Sequence, residues 1–534
     1  MRKNLVREKF NWVSIIITLV FAFVLYYLCL PAFNLASIGF WFYIGIVLTF
    51  FTLCNLVTKF DSAGKVIGSL KLVGGLGIGI FTIFLLIILV NFILSPVFNS
   101  KRFSKRIDIN EDGDFYKDVE KVDFSKVPLL DKESSQKLGD RVMGQMSELV
   151  SQFDVSDLYT QINYNNEIVR VTPLEYNGFF KYLSNHKKGV KGYITVNSVD
   201  GSAKLVKLDK GMKYMDSAIL NEDLTRKLRF SYPTKIFGAK SFEIDNEGNP
   251  YWIVPTLKYV GIGLCEEVEG VVILNPITGK SKYYDVKDVP TWVDHVYSAD
   301  LIIEQVDDWG AYKQGFLNSI FGQKNVTMTT EGYNYLVMND DVYLYTGITS
   351  VATDESNLGF ILTNMRTKET NFYSVPGAEE YSAMASAEGQ VQQMKYVATF
   401  PLLINLNGHA TYLISLKDNA GLVKMYSFVD VADYQKVAVT DASKGVEVAA
   451  SNYLGNENIE VDENKLTTKE ITISSISSAV INGNTYYYIV DTDNKKYMCS
   501  INTNKKLLPF LNSGSTIKVS YEKDTEVIEL SKVK

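Results

Sequence analysis

Three apolar runs without a charge, at 13–30, 38–57 and 72–94, fill most of the first hundred residues, and none like them recurs afterwards. Each is long enough to cross about 30 Å of hydrocarbon as a helix. A helix of that length packed on a soluble core carries a polar stripe, and these do not. Such runs satisfy their backbone in lipid only as helices, so they read as three transmembrane spans. Everything else in the chain must then fold beside a bilayer.

Basic residues set the expected orientation. Arg2, Lys3, Arg7 and Lys9 precede the first run and the loop at 31–37 has none; Lys59, Lys65 and Lys71 lie in the second loop, and Lys101, Arg102, Lys105 and Arg106 follow the third run. With the N-terminus inside, seven basic residues face the cytoplasm and four lie outside, the arrangement favoured by the positive-inside rule. Three spans then place the large domain outside the cytoplasm; the basic cluster at 101–106 argues the other way unless it sits against anionic headgroups. The first run is too long for the core of a cleavable signal and no Ala-x-Ala-like site follows it. A twin-arginine signal is also absent, since Arg2 is followed by Lys3.

A net charge of −6, with acidic and basic residues intermixed, lacks the basic face of a nucleic-acid binder. Cys29 and Cys54 fall in the apolar runs, which leaves Cys265 and Cys499 as the only pair in the soluble part. Without Cys-x-x-Cys spacing, and with only His186, His295 and His409, no zinc site or other cofactor is expected.

The expected organisation is a three-helix membrane anchor at 1–98, a polar connector at 99–130, an α+β domain at 131–330, a β-rich α+β domain at 331–455, a linker at 456–469 and a small all-β module at 470–534. In the third run Gly75 and Gly79 form a small-xxx-small pair that suits close helix contact. Packing inside the bundle is preferred over an oligomer contact. In the connector, Asp108, Asn110, Asp112 and Asp114 surround Gly113 like the first half of a calcium loop, but position twelve is Val119. An acidic solvated turn is therefore the preferred reading.

Leu138, Val142, Met146, Leu149 and Phe153 recur at helical steps over 131–153, with Asp131 as the cap. A strand at 167–171 is expected to end at Pro173. Asp200-Gly201 joins strands at 193–199 and 204–208. A helix at 222–229 precedes two strands around Asn246-Glu-Gly248, and Asn275-Pro-Ile-Thr-Gly279 joins strands at 268–274 and 281–286. Further strands are predicted at 342–348, 359–363, 399–406 and 411–416, with helices at 378–393 and at 440–454, the latter capped by Asp441. Five short strands beyond 470, with turns at Asn482-Gly483 and Ser513-Gly514, suggest an OB-like or SH3-like barrel.

The helix-and-hairpin units of 131–330, with their Asn/Asp-x-x-Thr-Gly turn, resemble PepSY-type domains, which are binding and inhibitory modules of bacterial surface proteins. Longer stretches include Tyr159-Thr-Gln-Ile-Asn-Tyr164, Arg170-Val-Thr-Pro-Leu-Glu-Tyr176, Val289-Pro-Thr-Trp-Val-Asp294, Tyr345-Thr-Gly-Ile-Thr-Ser350 and Asn364-Met-Arg-Thr-Lys-Glu369. On these residues the chain resembles a family of uncharacterised membrane-anchored proteins of Gram-positive bacteria. That resemblance implies an anchored architecture and brings no activity with it.

The one arrangement suited to nucleophilic catalysis is Cys265 with His295 and Asp294, since a thiol needs a base and an orienting carboxylate. His295 and Asp294 are adjacent, so on a strand their side chains diverge, and a buried structural cysteine is preferred. Ser350, Asp354, Glu355 and Ser356 are expected in a polar loop, for which a solvated turn is preferred over coordination of a cation or contact with a partner. Tyr486 and Tyr488 share one face of a strand; a packed barrel edge is the preferred reading, and an aromatic surface for a glycan or peptide the alternative. Glu379 and Glu380 suit the first turn of a helix. The expected function is a non-enzymatic, membrane-anchored envelope protein whose extracytoplasmic domain binds or scaffolds a protein or glycan. The alternatives are an envelope hydrolase assembled only in the fold, and a cytoplasmic-facing subunit of a membrane complex.

Overall fold

The computed structural model describes residues 12–58, 66–145, 147–351, 353–454, 467–481, 484–504, 506–521 and 527–532. Arg2, Lys3, Arg7, Lys9, Lys59 and Lys65, most of the linker, and the Asn482-Gly483 turn lie outside them. The three apolar runs form α1 (Trp12–Cys29), α2 (Ile38–Thr58) and α3 (Val66–Leu94), each long and apolar enough to cross a membrane. Phe21 stacks on Phe50 between α1 and α2, and Tyr43 donates to the Ala22 carbonyl. A side chain placed at Gly74, Gly75, Gly77 or Gly79 would meet nothing within 4 Å. Among the described residues these glycines thus face open space, not the other two helices.

Past α3 the chain turns at Ser95 into α4 (Pro96–Phe103). The stretch at 99–130 is more than a polar connector. It contributes β1 (Ile109–Gly113) and α5 (Phe115–Asp118), and it buries Phe115, Val119, Phe124, Val127 and Leu129 in a core shared with residues 336–454. Asp131 caps α6 (Lys132–Gly144) by accepting from Ser134 N at 2.9 Å. The short α7 (Ser147–Val150) follows.

The first sheet comprises β2 (Phe153–Val155), β3 (Thr160–Tyr164), β4 (Glu167–Tyr176), β5 (Val190–Asn197) and β6 (Ala203–Met212), in the order β2-β4-β5-β6 with β3 also on β4. Pro173 does not end β4. It pairs with Tyr193 on one side and falls between the stretches matched by β3 and β2 on the other, so its missing N–H interrupts no ladder. Helix α8 (Phe179–Asn185) links β4 to β5, and α9 (Leu224–Ser231) leads into the second sheet. That sheet is β7 (Ile236–Phe237), β8 (Ser241–Ile244), β9 (Pro250–Tyr259), β10 (Glu266–Leu274) and β11 (Ser281–Asp285).

Helix α10 (Ala299–Tyr312) precedes a seven-stranded sheet. Its strands are β12 (Thr327–Thr329), β13 (Asn334–Met338), β14 (Asp341–Ser350), β15 (Thr353–Asn364), β16 (Thr370–Tyr373) and β17 (Gly377–Ala378), with β1 added parallel to β16. Helix α11 (Glu380–Gln390) separates this from a sheet of β18 (Val397–Ala398), β19 (Leu402–Leu406), β20 (His409–Lys417), β21 (Val423–Asp430) and β22 (Val437–Asp441), and α12 (Val446–Tyr453) closes the region. Asp441 accepts from Ser443 N, so it caps the short turn before α12 rather than α12 itself.

These sheets stack in the order of the chain. On β9 and β10, Trp252, Val254, Val272 and Leu274 join the core against the first sheet, while Ile253, Val271 and Ile273 point the other way, toward α10 and the third sheet. The third sheet repeats the pattern on β15, where Ile361 faces one core and Phe360 and Leu362 the other. A strand covered on both faces reads as an unbroken apolar run because its two-residue alternation has no polar phase.

The C-terminal sheet is β23 (Thr467–Ile481), β24 (Asn484–Asp491), β25 (Lys496–Ser500), β26 (Thr516–Tyr521) and β27 (Val527–Lys532). β23 pairs with β26 over 467–472 and with β24 over 473–481, and this handover curls the sheet into half a barrel. Ile471, Ile489, Tyr497, Cys499 and Ile517 fill its concave side.

The apolar helices are fastened to the sheets at one end. Arg229 of α9 is buried and donates from Nε to the Leu30 carbonyl at 2.9 Å, and Arg226 reaches the Tyr27 carbonyl at 3.2 Å. Both cations satisfy carbonyls at the C-terminal end of α1, where the helix dipole is negative. Asn91 near the end of α3 makes a two-way bond with Ile262, Nδ2 to O and N to Oδ1, each at 2.9 Å. Gly263 N donates to the Ala36 carbonyl at 2.8 Å. The loop at 30–37, the end of α3 and the turn after β9 thus form one junction.

Candidate functional site

The structure separates the residues proposed for nucleophilic chemistry. Cys265 immediately precedes Glu266, which pairs with Tyr259 at one end of β9. His295 donates its backbone N–H to Glu243, and Glu243 pairs with Tyr251. Seven residues of β9 lie between Tyr251 and Tyr259, which are about 26 Å apart along the strand. Cys265 instead sits near Arg106, and burial pushes its thiol up to about 11. A thiol so placed stays protonated and unreactive.

Asp294 and Glu243 form a sealed polar knot. Glu243 accepts from Asp294 N at 2.8 Å, His295 N at 3.2 Å and Ser241 Oγ at 2.7 Å, while Asp294 accepts from Asn163 N at 2.8 Å. Burial, and then the neighbouring Glu243 charge, hold the Asp294 carboxyl well above the carboxylate range. His295 Nε2 lies 2.7 Å from the Gln161 carbonyl, so it donates there. The knot ties the 290–296 segment to β3 and β8, and both carboxylates are fully buried, so no substrate reaches them.

Glu380 lies in the first turn of α11, where the helix dipole alone would account for a carboxylate. It is instead completely buried, accepting from Tyr345 Oη at 2.8 Å and Asn357 Nδ2 at 3.1 Å. Burial, and then the Glu380 charge, raise the Tyr345 phenol well above its ordinary value. Nothing local in the sequence signals this, because the partners lie on β14 and β15.

The other candidate residues lie apart from one another. Asn110 and Asp112 lie on β1, where Asn110 bonds Asn371, and Asp114 caps α5 and pairs with Lys117 at 2.6 Å. The segment is thus strand and cap, not a loop coiled around an ion, and no cluster suited to a metal occurs among the described residues. Asp354, Glu355 and Ser356 belong to β15 rather than to a loop, and their side chains lie outside the described residues. Tyr486 and Tyr488 share a face of β24, with Tyr488 the more exposed.

A feature the sequence did not reveal is a groove of about 600 Å³. Strand β6, a free edge of the first sheet among the described residues, forms one wall with Lys204, Lys207 and Lys210, and Ser202 lines it from the turn just before β6. Glu167, Tyr193 and Thr195 line it from the same sheet, and the turn at Glu247-Gly248-Asn249 with Ile277 forms the opposite wall. Tyr193 Oη donates to the Gly248 carbonyl at 2.8 Å and fixes the two walls together. Gly248 has φ +81, which the tight turn requires. Thr195 Oγ1 is buried and lacks a hydrogen-bond partner among the described residues. With three lysines set against Glu167, Asp209 and Glu247, the groove is polar and nearly balanced in charge.

No family model matches the chain, and no curated protein does. Among solved structures, an ACO/RPE65 chimera and cobalt-substituted Synechocystis ACO each match with a TM-score of 0.13 and 8% identity, covering 72% of this chain. The alignment spans 62% of each of those chains, under two thirds of their length. A likeness of that size carries no argument about fold or activity.

Proposed function

We propose that this is a membrane-anchored envelope protein, non-enzymatic, whose extracytoplasmic domain holds an extended segment of another envelope protein in the groove beside β6. The groove carries the reading. An unpaired strand edge offers backbone donors and acceptors for strand addition, and a facing polar turn adds side-chain selection. Thr195 lines the groove, and its buried Oγ1 lacks a hydrogen-bond partner among the described residues. The wide separation of Cys265 from His295 weighs against the hydrolase alternative, and the distribution of basic residues around the spans supports the extracytoplasmic placement. The resemblance of the helix-and-hairpin turns to PepSY-type domains would suit a role in capture.

The test fills the groove. Ser202 is exposed and lines it, so Ser202→Trp blocks the groove without disturbing a core. Extended peptides that bind the full-length protein in nanodiscs should lose about tenfold or more in affinity to this variant, equivalent to ~1.4 kcal/mol. Unchanged binding of every such peptide would remove the groove from the account.

A further inference from the structure

We infer that the soluble domain inserts two apolar tips of its own into the lipid headgroup region, so that it rests on the bilayer at points beyond the three helices. The inference relies on the proposed reading of α1–α3 as membrane spans. The first tip is α8, which exposes Phe179, Phe180 and Leu183 while burying Tyr182. Tyr182 Oη donates to the Ile219 carbonyl at 2.9 Å and to Glu222 at 3.0 Å, holding α8 against the segment at 219–222. That segment meets α1 where Tyr27 Oη donates to Asn221, and on the following α9 the Phe230 ring lies 5.7 Å from that of Tyr26. The tip is therefore continuous with the end of a candidate span.

Two strands place it at the membrane-facing end of the domain. β9 runs ten residues, about 30 Å, from the groove turn to the turn that docks on Asn91 and Ala36. β4, also ten residues, starts with Glu167 in the groove and ends with Tyr176 just before α8. β4 thus separates the groove from α8 by the same ten residues over which β9 separates it from the docking turn.

The second tip is the turn at Asn318–Gly322, which with the preceding residue exposes Leu317, Ile320 and Phe321. It is reached from α3 through α4, where Phe103 packs on Tyr312 and Tyr312 stacks on Phe316. Lys187 and Lys188 follow the first tip and Lys324 the second, all exposed. Aromatic and aliphatic side chains beside lysines match the boundary between acyl chains and anionic headgroups.

Phe180, Phe321 and Phe510 are 77%, 81% and 76% exposed, so hydroxyl-radical footprinting of the unsubstituted full-length protein compares like with like. In vesicles of phosphatidylcholine and phosphatidylglycerol, Phe180 and Phe321 should be oxidised at least about fivefold more slowly than Phe510. A benzoylphenylalanine at position 180 should yield phospholipid adducts, and one at position 247, in the groove turn, none. Oxidation at the rate of Phe510, or cross-links from position 180 to protein alone, would overturn the inference. Release of the protein by alkaline carbonate would instead overturn the spans themselves, and the inference with them.

Discussion

Arg106 leaves α4 and enters a pocket where its side chain is 2% exposed. There it donates to Glu267 at 3.2 Å, to Glu304 at 2.6 Å, to Asp308 and to the Glu266 carbonyl at 2.8 Å. It thereby joins the chain emerging from α3 to β10 and α10. Burial would lower the guanidinium, but the hydrogen bonds to Glu304 and Asp308 hold it above its ordinary value. Replacing it with Met keeps the volume and strands the carboxylates. Breaking a buried pair this way costs about 3–5 kcal/mol, and since Glu304 is 53% exposed and turns to water, we expect the low end, about 3 kcal/mol at pH 8. Burial already pushes Asp308 up to about 6 in the presence of Arg106. A carboxyl raised in the folded state contributes stability below its unfolded value near 3.9 and loses it as pH rises through the folded one. In Arg106→Met that folded value rises further, so the deficit should shrink to about 1 kcal/mol at pH 5. Urea titrations of the full chain in detergent, followed through the buried Trp309 beside Asp308, measure both numbers. A loss below about 1 kcal/mol at pH 8, or one unchanged at pH 5, would refute the reasoning. Adding Glu267→Gln and Asp308→Asn to Arg106→Met should recover most of the loss.

Further outcomes follow from other buried groups. Cys265 should react slowly with a thiol reagent at neutral pH, equally so in His295→Ala, and Cys265→Ala should cost on the order of 1 kcal/mol in the same titration; rapid labelling abolished by His295→Ala would revive the hydrolase. Glu380→Leu removes the acceptor shared by Tyr345 Oη and Asn357 Nδ2, leaving them only Tyr412 Oη, and should cost about 2–3 kcal/mol, with Glu380→Gln milder; equal effects of the two would show that the hydrogen bonds contribute little. A fragment of residues 467–534 carries its own core and should give a dispersed amide spectrum, whereas a collapsed one would mean that the half-barrel needs the preceding sheets.

Much of this architecture was legible in local sequence. The charge-free runs, the Asp131 cap, and the doubly buried runs such as Val271-Val-Ile-Leu274 are each marked by an unbroken apolar stretch or a cap that their neighbours do not contradict. What escaped reading depends on distant partners. Ile109 pairs with Thr370 in a parallel ladder, and no turn between them announces it. Glu380 sits at a helix start like any solvated carboxylate, and only β14 and β15 bury it. Pro173 reads as a terminator unless two strands are known to meet on either side of it. The groove arises where the edge of one sheet meets a turn of the next, so neither segment alone shows it.

The placement of the domain is tested most directly by protease added to intact cells whose wall has been removed. The account predicts that residues beyond about 105 are digested while a fragment containing α1–α3 survives in the membrane. Full protection of the domain until the cells are lysed would contradict it, placing the groove and both apolar tips on the cytoplasmic face.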